Sequence, residues 1–232
     1  MQTVISPGGR LHSAVSYISR GAHVADIGTD HAYLPIYLVK EGIAQKALAA
    51  DINQGPIDSA RANIAAHGLS DRIETLKTDG LHGVESFAPD HILIFGMGGE
   101  LIVKILSEAP WIKKRGITLI LQPMSRAQIL RAYLLESGFS IVGETLTFED
   151  RYYQTIVARY EGDTVHNDYS TEELLLGRIN MQSTPPLFKG FLKHEIGVLQ
   201  TVLKGKSKSV SADASAETEL LRILLERLEK LS

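Results

Sequence analysis

Val24-Ala25-Asp26-Ile27-Gly28-Thr29-Asp30-His31-Ala32-Tyr33-Leu34-Pro35 is the stretch whose reading decides the fold. An apolar run, His23–Ile27, ends on a glycine, and a helix-forming run opens at Tyr33. A buried parallel strand feeding a helix has this form, because helices cover both faces of a parallel sheet and its strands become apolar throughout. A glycine at such a turn lets the backbone approach a ligand closely. A plain turn with a helix cap at Thr29 or Asp30 is the simpler reading of this motif taken alone.

Outward from it, the same alternation repeats. Lys46–Ala50, Ile73–Lys77, His91–Phe95 and Ile117–Leu121 are further strand-like runs, separated by helical stretches at about 33–41, 56–67, 100–109 and 126–137. Gly42, Gly68 and Gly138 fall at or just past three helix ends, where a left-handed residue is favoured. Phe139–Thr147 and Tyr152–Tyr160 then form an antiparallel pair about Phe148-Glu149-Asp150-Arg151. The pattern predicts an α/β fold, a Rossmann-like parallel sheet with an antiparallel edge strand, over residues 1–162. Residues 163–232 predict a small all-helical, coiled-coil-like hairpin domain. Leu192, Ile196, Leu199 and Leu203 form one stripe and Leu221, Leu224, Leu228 and Leu231 another, with a polar hinge at Gly205–Ser211 between them.

Composition narrows the function. The chain has 232 residues, no cysteine, 24 Lys+Arg against 27 Asp+Glu and a net charge of −3. Zero cysteine excludes disulfides, thiolate metal sites and a cysteine nucleophile, and no metal is expected. The apolar runs are too short to span a membrane, and Met1–Arg10 has no apolar stretch of the secretion-signal kind, so a cytoplasmic protein is expected.

The first turn is not G-x-G-x-x-G, so the dinucleotide fingerprint is absent and a nicotinamide oxidoreductase is disfavoured. It is closer to the acidic-x-Gly-x-Gly-x-Gly turn of methyltransferases that use S-adenosyl-L-methionine, with Asp30 and Ala32 in the second and third glycine places. Companion residues strengthen that reading. Asp51 ends the second strand, where an acid can accept both ribose hydroxyls of an adenosyl ligand. Asp79-Gly80 follows the third strand, in position for the adenine edge, and Gly96-Met97-Gly98-Gly99 follows the fourth. The fourth-strand loop lacks the Asn/Asp-Pro-Pro-aromatic signature of exocyclic-amine methylation. That favours attack by a ring nitrogen, which needs orientation more than a base. A methyltransferase of another RNA or of a small molecule, and an adenosyl- or RNA-binding module without turnover, remain alternatives.

These strings, with Asp51-Ile52-Asn53-Gln54-Gly55-Pro56 and Leu121-Gln122-Pro123, resemble the bacterial TrmK family of tRNA (adenine-N1)-methyltransferases, which act on adenine 22 in the D-arm region. The resemblance covers about residues 10–160 by motif and the tail by architecture. It implies that Asp26, Gly28, Asp51, Ile52, Asn53, Asp79, Gly80, Gly96, Met97 and Gly98 hold the cofactor. It also implies that Asp26, Asp30, His31 and Tyr33 face the methyl and the target base. Two departures are visible. Met124 stands where the family more often has Asn, and Arg151 where it has a glycine or small polar residue.

Basic clusters predict the tRNA contacts: Arg10 and Arg20; Lys113, Lys114, Arg115, Arg126 and Arg131; and Lys189, Lys193, Lys204, Lys206 and Lys208, the last set facing Glu195 alone. A solvated helix face is the plainer explanation of any one cluster. A monomer or weak dimer is expected.

Overall fold

The strand–turn–helix read around Asp26 is the first of a series. The computed structural model describes residues 9–162, 168–207 and 213–231. A short helix, α1 (Gly9–His12), precedes β1 (Ala22–Ile27), α2 (Tyr33–Lys40), β2 (Ala44–Asp51) and α3 (Gln54–Ala66). Then come β3 (Ile73–Lys77), β4 (His91–Met97), α4 (Gly99–Ser107), β5 (Thr118–Pro123), α5 (Ala127–Glu136), β6 (Phe139–Phe148) and β7 (Tyr152–Tyr160). Each strand and helix read from the sequence is present with its ends shifted by two residues or fewer.

The seven strands form one sheet in the order β3-β2-β1-β4-β5-β7-β6. Neighbours from β3 to β5 are parallel, while β7 is antiparallel to both β5 and β6. The reversed strand is therefore inserted one place in from the edge, and the edge strand β6 runs with the rest. Because β1 is central and the order reverses between β1 and β4, a crevice opens at their carboxyl ends, where open α/β sheets bind ligands.

Alternation along the strands divides the core between the sheet's two faces. Ala25, Ile27, Ile92, Ile94, Leu119 and Leu121 pack under α4 and α5. Val24, Leu93, Ile120 and Val157 pack on the other face with α2 and α3.

Arg131 corrects a prediction. It is fully buried, with its guanidinium 2.7 Å from Glu144 on β6 and 2.8 Å from Gln154 on β7, so it is a core ion pair and no tRNA contact. The pair is compensated and hydrogen-bonded, as burial of two charges requires.

The chain divides into two compact units at 167/168. The second contains α6 (Thr171–Leu176), α7 (Arg178–Ser183), α8 (Phe188–Lys206) and α9 (Ser215–Lys230). Ser170 and Glu173 form a reciprocal cap on α6, and Arg178 binds Glu173 and Asp168 while lying over the Tyr169 ring. Phe188, Phe191, Leu192, Ile196 and Leu224 are buried, so the two leucine stripes do face a common seam. The short helices α6 and α7 were not foreseen. The hinge also begins later than expected: α8 continues through Gly205 and Lys206, and the Lys206 ammonium is held by Glu217 at 2.5 Å and by the Asp213 carbonyl at 2.9 Å. Among the described residues no helix is long and apolar enough to cross a membrane.

Candidate active site

At the end of β1, Asp26 lies on the α2/α3 side of the sheet and is 8% exposed. Burial pushes its carboxyl up to about 6. The buried Thr29 hydroxyl, which has no hydrogen-bond partner of good geometry, opposes this in part, and the Asp30 and Asp51 carboxylates add to it. Both Gly28 N–H and Thr29 N–H donate to the Ala50 carbonyl, pinning the turn to β2.

Gly28 is left-handed at φ +75°, and a Cβ there would come within 2.3 Å of the Met97 methyl. The loops after β1 and β4 thus touch through a contact that requires glycine on one side. Beyond the turn, His31 and Ala32 are both left-handed at φ +55°, a rare state for residues with side chains. The Asn63 amide donates to the His31 carbonyl at 3.0 Å and holds it there. Helix α2 therefore begins after Ala32 with no side-chain cap, and neither Thr29 nor Asp30 caps it. The turn instead projects Asp30, His31 and Tyr33 as a cluster. His31 Nε2 lies 3.2 Å from Asp30 Oδ1, and the imidazole stacks on Tyr33 at 5.3 Å between centroids.

Asp51 ends β2 half-buried. One carboxylate oxygen accepts the Asn53 N–H at 2.7 Å, which fixes the group's orientation and leaves the other oxygen to a ligand. Ile52 is 54% exposed beside it, an apolar surface of the kind that covers a flat ring. The Asp79-Gly80 turn rests on α4, where a Cβ on Gly80 would press on Ile105. Gly96 is left-handed at φ +76° with open space around it, whereas a Cβ on Gly99 would strike the Arg126 carbonyl at 2.4 Å. The residues present therefore fit an adenosyl ligand: an oriented acid, an apolar cover and a glycine-lined passage back to Asp26.

Asp26 and Gly28 open into a cavity of about 330 Å³, whose wall also includes Arg10, Tyr33, Phe95 and Gly96. The sequence reading named Arg10 as a tRNA contact but did not place it, or Phe95, in this wall. Arg10 is clamped through its backbone: its N–H donates to Glu149 at 2.9 Å, and its carbonyl accepts from Gln122 Nε2 at 3.0 Å. Gln122, fully buried at the end of β5, also reaches Thr155. A lone amide closing the apolar run Ile117–Leu121 was the available signal.

The structure sorts the predicted cations. Arg10 and Arg126 lie at the carboxyl ends of the strands, Arg126 in the left-handed residue before α5. Arg20 and the Lys113–Arg115 run precede β1 and β5, at the opposite end of the sheet. In the helical unit, Lys193 and Lys204 are exposed, Lys189 donates to the Leu231 carbonyl, and Lys206 is paired as described. Lys208 lies outside the described residues.

A central acid–glycine turn at the switch point of this sheet marks a methyltransferase domain, and the family model of that description matches residues 8–157. The tRNA (adenine(22)-N(1))-methyltransferase of Bacillus subtilis (strain 168) is 34% identical over 226 residues, 96% of this chain and 94% of its own. The chain belongs to the tRNA (adenine(22)-N(1))-methyltransferase family. The B. subtilis m1A22 tRNA methyltransferase TrmK crystal structure superposes with a TM-score of 0.80 at 31% identity, covering 97% of each chain. The structure of M. capricolum TrmK in complex with S-adenosyl-homocysteine gives 0.74 at 27% identity, covering 97% of this chain and 96% of that one.

Proposed function

We propose that this protein transfers the methyl group of S-adenosyl-L-methionine to N1 of adenine 22 of tRNA, in the cytoplasm. The observation that carries the proposal is the 330 Å³ cavity with Asp26 at its inner end and Asp30, Tyr33 and Arg10 in its wall. It sits at the strand ends where the oriented Asp51 marks an adenosyl site. When bound, the cofactor supplies an electrophilic methyl on a sulfonium. Asp51 takes the ribose hydroxyls, Ile52 and Asn53 flank the adenosine, and Asp79-Gly80 takes its adenine edge. Gly28, Gly96, Met97 and Gly98 shape the passage to the reactive end.

On the substrate side, Tyr33 and His31 receive the target base, which leaves its stack at a cost of a few kcal/mol. N1 of adenine carries a lone pair and no proton, so no general base is needed. Its methylation leaves a cation, and the Asp26 and Asp30 carboxylates stabilise that charge. Arg10 and Arg126 contact phosphates near the target. Lys193 and Lys204, eleven residues apart and so on one face of α8, grip the RNA elsewhere.

The test is incubation with labelled cofactor and tRNA transcripts bearing adenine or guanine at position 22, followed by nucleoside analysis. Label in N1-methyladenine from the first transcript alone is expected. Label in another nucleoside, or equal label in both transcripts, would overturn the substrate assignment.

A further inference from the structure

The turn between β1 and α2 is pinned at two places. At its front, Gly28 N–H and Thr29 N–H donate to the Ala50 carbonyl. At its back, the Asn63 side-chain amide donates to the His31 carbonyl at 3.0 Å. Among the described residues, this is the one hydrogen bond that reaches Asp30, His31 or Ala32 from another element. Asn63 is half-buried on α3, beside Ile64 and one turn after Ala60, and both of those pack in the same core cluster as Ala32.

The back of the turn is also where the backbone departs from its preference. His31 and Ala32 are both left-handed at φ +55°. Histidine tolerates that state, but alanine rarely adopts it, because its Cβ crowds the backbone there. Ala32 is fully buried and opens α2, whose Ile36 N–H donates to the Ala32 carbonyl at 3.0 Å. The Ala32 backbone therefore sets the direction in which α2 leaves the turn, and Tyr33, the first residue of that helix, follows it. Asp30 and Tyr33 stand in the wall of the Asp26 cavity, and His31 stacks on Tyr33 at 5.3 Å. The strained pair thus joins the residues that face the target base. Sparsely populated backbone states held by outside contacts concentrate at such places.

We infer that Asn63 is a positioning residue for methyl transfer: it holds the His31–Ala32 backbone left-handed and so fixes Asp30, His31 and Tyr33 toward the base. This rests on the RNA reading above and deepens it. Asn63 is not part of the cavity wall and acts through the backbone of the turn. In-line attack on a methyl group depends on alignment, and a small misplacement of the groups that receive the base costs up to about 100-fold in rate.

The test compares N63L, N63A, A32G and N63L/A32G with the wild-type protein. It measures kcat and KM for tRNA per folded protein, S-adenosyl-homocysteine binding by calorimetry, and hydrogen exchange across Asp30–Leu34. Leucine keeps the shape of asparagine without the donor, and N63A repeats the test with the side chain removed. Both should lower kcat by about 10- to 100-fold, leaving KM for tRNA and the affinity for S-adenosyl-homocysteine near wild type. Glycine adopts a left-handed backbone without the cost of a Cβ. A32G alone should therefore stay close to wild type, and N63L/A32G should recover most of the lost kcat. Wild-type kcat in N63L and N63A would overturn the inference and leave Asn63 a structural residue. Failure of A32G to recover activity would also overturn it, because Asn63 would then act other than through the turn. So would a parallel loss of S-adenosyl-homocysteine affinity, which would assign Asn63 to the cofactor side. If the wild-type protein leaves tRNA unmethylated, the reaction reading fails by itself. Exchange across Asp30–Leu34 still decides whether Asn63 holds the turn: faster exchange in N63L supports it, and unchanged exchange overturns it.

Discussion

Replacing Asp26 with asparagine should stabilise the free protein while removing its catalytic competence. The reasoning starts from burial. Asp26 is 8% exposed, and its carboxyl is pushed from the ordinary 3.8 up to about 6, chiefly by loss of water. Between those two values the folded protein holds a proton that the unfolded chain releases. Wild-type stability therefore falls as pH rises through about 4 to 6, and the full cost is present above pH 6. A difference of about two units is worth about 3 kcal/mol, an upper bound for a carboxylate that local relaxation can partly rehydrate. Asparagine resembles the protonated acid in shape and carries no charge, so D26N escapes that cost.

The expected result is a D26N–wild-type stability difference near zero at pH 4 that grows to between about 1 and 3 kcal/mol at pH 7.5. Denaturant titrations at several pH values, followed by fluorescence, measure it. The single tryptophan, Trp111, packs against the core under α4 and α5 and so reports the sheet unit alone. Methyl transfer by D26N should fall at least about 100-fold, the scale of losing one charge-stabilising group. A difference that is equal at pH 4 and 7.5, or a D26N protein no more stable than wild type at pH 7.5, would refute the assignment of the burial cost to the Asp26 charge.

Three further substitutions test other parts of the site and core. D51N should weaken S-adenosyl-homocysteine binding by roughly tenfold or more, since hydrogen bonds to a charged acceptor contribute about 1.5–3 kcal/mol; calorimetry would read it, and unchanged affinity would remove Asp51 from the ribose. G28A should destabilise the sheet unit by about 1–3 kcal/mol from its left-handed backbone and the clash with Met97, and adding M97A should recover the clash portion only; equal destabilisation in both backgrounds would mean that Met97 is not the obstacle. R131A should cost about 3–5 kcal/mol in stability by removing the guanidinium from the buried Glu144 carboxylate, with no change in the salt dependence of tRNA binding by the folded fraction; a reduced salt slope would return Arg131 to the RNA surface.

Much of this site is legible along the chain because its determinants are breaks in an apolar pattern. Asp26, Asp51 and Gln122 each interrupt or close a run that would otherwise be continuously hydrophobic, and a polar group at a strand end needs a reason to be there. Gly28 and Gly96 are visible because left-handed backbone next to a packed neighbour excludes other residues. The His31–Ala32 conformation leaves no such mark: histidine tolerates a left-handed backbone but alanine rarely adopts one, and the Asn63 amide that holds the His31 carbonyl comes from another element. Arg10 is legible only as a cation of a basic cluster; its place in the cavity wall is set by Glu149 and Gln122, which reach it from other elements.

Arg131 shows how a charge count fails where a face would have succeeded. Counted along the chain, it joins Lys113, Lys114, Arg115 and Arg126 in a stretch without acids. On the helix, it takes the fourth-residue place of a stripe formed by Ala127, Leu130 and Leu134, all buried. A cation on the apolar face of a helix must meet a buried acid, and Glu144 on the facing strand supplies it. The same criterion separates the remaining cations without any count. Arg20 and Lys113–Arg115 precede strands, and the amino ends of a parallel sheet point away from its ligand crevice. Arg10 and Arg126 follow the logic of the fold to the reactive end. The end of the sheet and the face of the helix thus sort these cations by position, and the net charge of −3 reflects neither.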